Sequence, residues 1–413
     1  MVAEILAVGT ELLMGQIANT NAQYLSRRLA DLGVRVLWHS VVGDNPGRLK
    51  ESLSLALSRA DVVITTGGLG PSKDDLTKET IAEAFGLGMV CNGEVLGQIE
   101  AFFHKTGRTM VESNRKQAWL PAGSLLVPNP NGTAPGCIIE TNGKTVVMLP
   151  GPPKEMNPMF EQTVFPYFEL RTGQVLASRM LRVFGIGESM MESRILDLVD
   201  AQTNPTIAPY VGDGDVIVRV TAAAATRPEA ETLLAPMVEA IGARLGADLY
   251  TTDNETMEDV VGRLLLDRDL KVSTAESCTG GLIAARLVNV SGISRVFERG
   301  YVVYANRAKE EELGVSAETL DRFGAVSRET AVEMARGLVR KTGCDVAIAV
   351  TGIAGPEGGT VEKPVGLVHL AVVTPAGLRT CELRLNGNRE RIRTMTTLHA
   401  LDTVRRMLLD LPG

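Results

Sequence analysis

The chain is expected to be an α/β protein: a three-layer α/β/α domain at each end and a smaller α+β insert between them. Three observations predict this. In the first and last segments, buried runs of β-branched residues alternate with amphipathic helical stretches, the pattern of a parallel sheet covered on both faces. Between them, paired strand signals accompany one long helix in a stretch too short for a third such domain. A length of 413 residues suits two or three domains.

The elements follow in order. Residues 5–8 read as a buried strand broken by Gly9-Thr10-Glu11, and residues 19–32 have helical periodicity ending at Gly33. A strand over 34–42, a helix over 46–60 and a strand over 62–65 come next. Further strands lie at 136–140 and 145–149, the latter leading to Pro150-Gly151-Pro152-Pro153, where a helix can start on proline. The middle segment reads as a strand (179–184), a helix (189–199), two strands (206–211 and 216–222) and a helix (228–245). In the last segment strands are expected at 271–274, 300–304, 346–351, 366–373 and 379–385, before a final helix over 391–409. Boundaries are placed at 1–170, 171–251 and 252–413.

Composition narrows the chemistry. Apolar residues make up 45% and aromatics only 4%, so the cores are built from Val, Leu, Ile, Ala and Met. A net charge of −7 argues against a nucleic-acid surface as the main business. Five cysteines, an odd number with no CxxC pair, exclude a disulfide framework and a structural zinc site. The four histidines show no ligand spacing, which leaves catalysis to Ser, Lys, Tyr, Arg and carboxylates, and any metal to oxygen ligands. The N-terminus lacks a basic leader and no apolar run reaches membrane-spanning length, so a cytoplasmic location is expected.

The run Ala275-Glu276-Ser277-Cys278-Thr279-Gly280-Gly281 follows a strand and opens a helical pattern. A hydroxyl on a tight turn at a helix N-terminus faces unpaired N–H groups that can hold a phosphate or stabilise an oxyanion. A plain Ser/Thr helix cap is the alternative. A serine nucleophile needs a base, and Lys309 can serve if burial or nearby cations bring its amine toward neutrality. Tyr304 offers a relay or orienting hydroxyl, and Arg389 a bidentate partner for phosphate or carboxylate. Cys278 is a rival nucleophile, although small buried cysteines are commoner as packing residues.

Near the start, Thr66-Gly67-Gly68-Leu69-Gly70 after a strand is a phosphate-cradling loop by its own physics. Asp74 and Asp75 precede a helix carrying Thr77; they can hold a divalent metal beside those phosphates or merely cap the helix. The stretch from Pro150 to Glu155 closes the site from another strand end.

Taken together, AESCTGG (275–281), YANRAK (304–309) and TGIAGPEGGTVEKPVG (351–366) resemble the CinA family (competence/damage-inducible protein A), specifically its C-terminal nicotinamide-nucleotide amidase domain. GTELLMGQ (9–16) and TGGLGPSKDDLT (66–77) resemble its N-terminal molybdopterin-binding-like domain, and the middle segment, 171–251, resembles its KH-like domain. For the C-terminal domain the resemblance implies hydrolysis of nicotinamide mononucleotide to nicotinate mononucleotide and ammonia, without a cofactor. Ser277 would be the nucleophile, Lys309 its base and Tyr304 an aid to proton transfer. Thr279, Gly280 and Gly281 would donate N–H groups, with Thr351, Gly352 and Arg389 holding substrate. For the N-terminal domain it implies cleavage of ADP-ribose to AMP and ribose 5-phosphate with Mg, Mn or Co on Asp74, Asp75 and Glu155. Gly9, Thr10, Glu11, Gly67, Gly68, Gly70, Thr77, Pro150 and Gly151 would contact that substrate. The alternative is a nucleotide- or pterin-binding regulatory protein of competence or DNA damage, with no N-terminal catalysis.

The resemblance also implies a homodimer without a membrane partner. Direct nucleic-acid contact is not expected, since Gly185-Ile186-Gly187-Glu188 lacks the second glycine of a KH clamp and carries an acid. Two residues depart from the family pattern: Asn388 stands where Asp is usual, and Ser72 where Thr is common.

Overall fold

In the computed structural model, which describes residues 1–173, 175–212 and 214–412, the chain divides into two compact units. One comprises residues 1–178 with 222–233, the other 179–221 with 234 onward. The first is built on β1 (Val2–Val8), β2 (Arg35–Val42), β3 (Val62–Thr66), β4 (Leu125–Val127), β5 (Gly136–Thr141) and β6 (Lys144–Leu149). Their order is β2-β1-β3-β6-β5-β4. The pairs β2–β1, β1–β3 and β3–β6 are parallel, whereas β6–β5 and β5–β4 are antiparallel. The sheet is therefore mixed rather than all parallel as expected. Asn142 and Gly143 both take positive φ (49° and 73°), the two-residue turn that folds 136–149 into a hairpin.

Helices α1 (Thr20–Asp31), α2 (Pro46–Arg59), α3 (Thr77–Ala84), α4 (Gly93–Thr106) and α5 (Pro153–Met159) accompany this sheet. Asn19 and Asn45 start α1 and α2 by accepting the N–H groups of Ala22 and Arg48. Period-2 alternation in β1 divides the core: Ile5 packs with Leu25 and Leu29 of α1, and Leu6 with Leu49 and Leu53 of α2. The carboxyl ends of β1, β3 and β6 share one edge of the sheet. That edge presents Gly9, Gly67 and Pro150, the place where open α/β sheets bind ligands.

The chain next forms a four-stranded sheet from β7 (Val175–Val183), β8 (Thr206–Val211), β9 (Val216–Ala224) and β10 (Leu249–Thr251), ordered β8-β9-β7-β10. It carries α6 (Glu188–Asp200) and α7 (Arg227–Leu245). After α8 (Met257–Asp267) come β11 (Val272–Glu276), α9 (Leu282–Leu287), β12 (Phe297–Val302), α10 (Asn306–Leu313), α11 (Arg328–Thr342), β13 (Val346–Gly352), β14 (Leu367–Thr374), β15 (Gly377–Arg384) and α12 (Arg389–Leu408). The strands order as β12-β11-β13-β14-β15, parallel in the first two pairs and antiparallel in the last two. Val272, Ile348 and Leu370 pack toward α8 and α12, while Ala275, Ala347 and Ala371 pack toward α11, giving three layers. Among the described residues no helix is long and apolar enough to cross a membrane.

Candidate functional site

Every residue of β11 is buried, and the strand is paired on both sides, so the turn that follows it is anchored in the sheet. Ser277 N–H donates to Val350 O at 3.1 Å. The preceding Glu276 is wholly buried, and its carboxylate reaches over the turn to accept the N–H groups of Gly281 (3.0 Å), Ile283 (3.0 Å) and Ala284 (2.9 Å). Three amide donors compensate the burial of that charge. The expected picture of free helix-start amides facing Ser277 is thereby corrected. Gly281 N–H belongs to Glu276 and Gly280 N–H donates to Ser277 O. Of the expected donors Thr279, Gly280 and Gly281, only the Thr279 amide donates to no oxygen among the described residues; it and the Cys278 amide face the Cys278 thiol instead. Gly280 and Gly281 adopt φ of 60° and 92°, so they serve by letting the turn form.

Lys309 approaches Ser277 from α10. It is 1% exposed, and its Nζ lies 3.3 Å from Ser277 Oγ, 2.8 Å from Val303 O and 3.2 Å from Tyr304 O. Burial holds its ammonium below the usual lysine range. A neutral amine has two N–H donors and one lone pair. The two carbonyls take the donors, which turns the lone pair toward the Ser277 hydroxyl. Cys278 is also buried, and burial pushes its thiol up to about 12, which suppresses the thiolate that the rival mechanism needs.

The other expected residues divide. Tyr304 gives its backbone carbonyl to Lys309, while its side chain is exposed and its hydroxyl accepts from Arg389 Nη2 at 3.2 Å. Its hydroxyl is thus engaged by Arg389, and no bond joins it to Ser277 or Lys309 among the described residues, so the relay role gains no support from the hydrogen bonds. Arg389 Nη1 also donates to Gly355 O at 2.8 Å. Thr351 is buried with its hydroxyl on Ala325 O (2.7 Å), and a Cβ on Gly352 would lie 2.7 Å from Val368. These two residues shape the strand end and do not offer side chains to a substrate. Asn388 caps α12 by accepting Arg391 N–H at 2.8 Å, which a carboxylate would do equally well. Four residues after Arg389, Arg393 Nη2 donates to Thr279 O at 2.7 Å, so α12 grips both walls of the site.

The first unit carries a separate cleft of about 430 Å³ over the Gly67–Gly70 loop. Gly9, Gly67, Gly68, Gly70, Pro150 and Gly151 line it together with five carboxylates: Glu11, Asp44, Asp74, Asp75 and Glu155. Asp75 Oδ2 accepts Ser72 N–H (2.9 Å), and the cap position of α3 has no side-chain bond, so the aspartates do not cap that helix. Glu155 accepts from Asn129 Nδ2 at 2.6 Å. Among the described residues no three His, Cys, Asp or Glu side chains converge to hold a metal. The expected ligands share a cleft without forming a cage. Hard oxygen donors of this kind fit a divalent cation that takes one or two carboxylates and completes its shell with substrate phosphates.

Two residues expected to touch that substrate act behind it. Thr77 is buried, and its hydroxyl donates to Gly67 O at 3.0 Å. A Cβ on Gly68, where φ is 67°, would lie 2.0 Å from that hydroxyl. Thr10 donates to Asp44 Oδ2 through both its N–H (2.9 Å) and its hydroxyl (2.8 Å). Lys116 ties down the 72–75 loop by donating to Ser72 O (3.2 Å) and Asp75 O.

Comparison with known proteins matches three families along the chain. Residues 4–170 match the Probable molybdopterin binding domain, 178–251 the Damage-inducible protein CinA KH domain and 254–408 the CinA C-terminal domain. A competence-damage inducible protein of Acetivibrio thermocellus is 56% identical over 413 residues, covering 100% of both chains. A CinA-like protein of Dictyoglomus turgidum is 53% identical over 411 residues, again covering 100% of each. The chain belongs to the CinA family. Among solved structures, the competence/damage inducible protein CihA from Agrobacterium tumefaciens is 46% identical, covering 37% of this chain and 96% of that one at a TM-score of 0.36.

As a CinA-family chain it has a molybdopterin-binding-like N-terminal domain, a KH-like middle domain and a CinA C-terminal domain. Around the loop at the KH clamp position, Phe184 just before it packs on α12 with its ring 4.8 Å from that of His399, a Cβ on Gly185 would lie 3.1 Å from Arg406 Nη2, and Arg406 pairs with Asp248 at 2.8 Å. Sequence reasoning had missed Glu276, Arg393, Asp44 and Lys116. Asp44 had a usable signal, since it follows the end of a parallel strand. Arg393 had a weaker one, its four-residue spacing from Arg389 on one helix face.

Proposed function

We propose that the C-terminal domain is a nicotinamide-nucleotide amidase and the N-terminal domain a metal-dependent ADP-ribose pyrophosphatase, which together act on products of pyridine-nucleotide breakdown. The observation that carries the first half is the 3.3 Å approach of a buried Lys309 Nζ to Ser277 Oγ, with two carbonyls on the same nitrogen. In this reading Ser277 Oγ attacks the amide carbon of nicotinamide mononucleotide while Lys309 takes the hydroxyl proton. The amides of Cys278 and Thr279 are the candidate donors to the oxyanion. Lys309 returns the proton to the leaving nitrogen, the C–N bond breaks and ammonia departs. Water then attacks the acyl-serine, releasing nicotinate mononucleotide and restoring Ser277. Arg389, hydrogen-bonded to the exposed Tyr304 hydroxyl, suits the substrate phosphate.

For the N-terminal half, the support is the pairing of a glycine loop with five carboxylates and, among the described residues, no lining lysine or arginine. A pyrophosphate approaching that lining is repelled unless a cation accompanies it. A divalent metal would be held by Asp74, Asp75 and Glu155, with Glu11 and Asp44 in reach of the same cleft, and would neutralise the phosphate oxygens as a Lewis acid. The lack of a preassembled cage among the described residues favours a second reading, nucleotide or pterin binding without hydrolysis. Incubating the full chain with nicotinamide mononucleotide and measuring ammonia tests the first half; ADP-ribose with Mg²⁺, Mn²⁺ or Co²⁺, followed for AMP, tests the second. No ammonia would overturn the amidase reading, and bound but uncleaved ADP-ribose would leave binding alone.

A further inference from the structure

Beside the acidic cleft runs an apolar groove of about 600 Å³, walled by Leu12, Ile17, Ala18, Pro152 and Pro153. Val8, Glu11, Gly151 and Pro152 line both spaces, so groove and cleft are continuous. Another groove, against Phe102 and Lys105, meets the cleft only at Thr133.

Asn21, the second residue of α1, also lines the apolar groove. Its Nδ2 donates to Gly151 O at 2.7 Å. That bond fixes which way the amide points, because a carbonyl oxygen can accept only from the NH₂ side. Oδ1 is left as an acceptor, and it is buried without a hydrogen-bond partner among the described residues. A buried amide oxygen with no donor is unfavourable until a ligand, or a water the ligand displaces, supplies one.

Building on the nucleotide reading of the cleft, we propose that this groove is its base subsite, taking the purine of a dinucleotide whose pyrophosphate lies over the Gly67–Gly70 loop. Asn21 selects a purine with an exocyclic amino group. Apolar walls suit the faces of a base, and the volume is ordinary for a small-ligand site. Glu11, at the junction, stands where a ribose between base and phosphate presents its hydroxyls, a pairing carboxylates commonly make. Adenine offers an N–H donor from its exocyclic amine. Hypoxanthine has a carbonyl at that position, which would set acceptor against acceptor.

The test is calorimetric titration of the full chain with AMP and with IMP in the presence of Mg²⁺, on wild type and on Asn21→Ala. Wild type is expected to bind AMP at least about tenfold more tightly than IMP, the scale of one buried hydrogen bond. Asn21→Ala should close that gap by weakening AMP alone, with the thermal midpoint checked against wild type. Equal affinities in wild type, or an undiminished preference in Asn21→Ala, would overturn the proposal, and the wild-type comparison stands even if the variant folds poorly. ADP-ribose titrated in parallel separates the two levels. Binding without base preference overturns the base subsite alone, whereas no binding of any of the three overturns the nucleotide reading with it.

Discussion

Around Ser277 and Lys309 the chain holds most polar atoms itself: Glu276 takes three amides, two carbonyls hold the lysine nitrogen, and Arg393 fixes Thr279 O, while the buried Thr279 Oγ1 has no partner among the described residues. The cleft over Gly67–Gly70 is finished differently. Five carboxylates line it, and Asn21 Oδ1 beside it has no partner among the described residues. Both sites lie at the carboxyl ends of parallel strands, the position such sheets offer. The difference is in what completes them. The first is organised before substrate arrives, which is how electrostatic catalysis avoids reorganisation during the reaction. The second is built to be completed by a cation and a nucleotide.

The sharpest way to break that contrast is Ser277→Ala. It should lower ammonia release from nicotinamide mononucleotide by at least about 10³-fold, as loss of a nucleophile does, while ADP-ribose cleavage is unchanged. Lys309→Met, close in volume to lysine, should cost on the order of 10² to 10⁴-fold, the usual worth of a general base. In wild type the rate should rise with pH, because the amine must be neutral to accept the hydroxyl proton. The midpoint should lie below the usual lysine value of about 10.4, since burial disfavours the ammonium. A flat profile, or one centred at the ordinary value, would contradict the role given to Lys309.

Removing divalent metal with a chelator reverses the comparison. AMP formation should fall by about a hundredfold or more, with ammonia release untouched. Glu276→Gln probes the self-satisfied turn. The neutral amide keeps one acceptor oxygen but sets an NH₂ against backbone N–H groups, so about 1–3 kcal/mol of stability should be lost in denaturant titration. The amidase kcat should fall about tenfold with KM little changed, the mark of a positioning residue. The smallest effect belongs to Asn388→Asp: both residues cap helices comparably, so amidase activity and melting should shift by no more than about 0.5 kcal/mol.

The sequence made the local features legible. Ser277, Lys309 and the Gly67–Gly70 loop each lie in a short run whose residue types carry their own chemistry. The layered fold was readable because β-branched runs and amphipathic helices alternate. What escaped acts across sequence distance or against a local expectation. Arg393 reaches Thr279 over 114 positions, and Asp44 reaches Thr10 over 34. Glu276 carried no role of its own in the run that follows the strand, yet it takes the amides that a helix start would otherwise present to a ligand. The mixed sheet was missed because the β-branched runs on either side suggested parallel strands, while the hairpin signal is only the two residues Asn142-Gly143. The resemblance implied substrate contacts for Thr10, Thr77 and Thr351, but beside a glycine-rich loop a hydroxyl serves as readily to hold the loop as to meet a ligand.

The most direct test is to quench the full chain during turnover of nicotinamide mononucleotide and map the acyl adduct by peptide mass spectrometry. The adduct should lie on Ser277 and be lost in Ser277→Ala. An adduct on Cys278, or ammonia released at the wild-type rate by Ser277→Ala, would contradict the serine–lysine assignment.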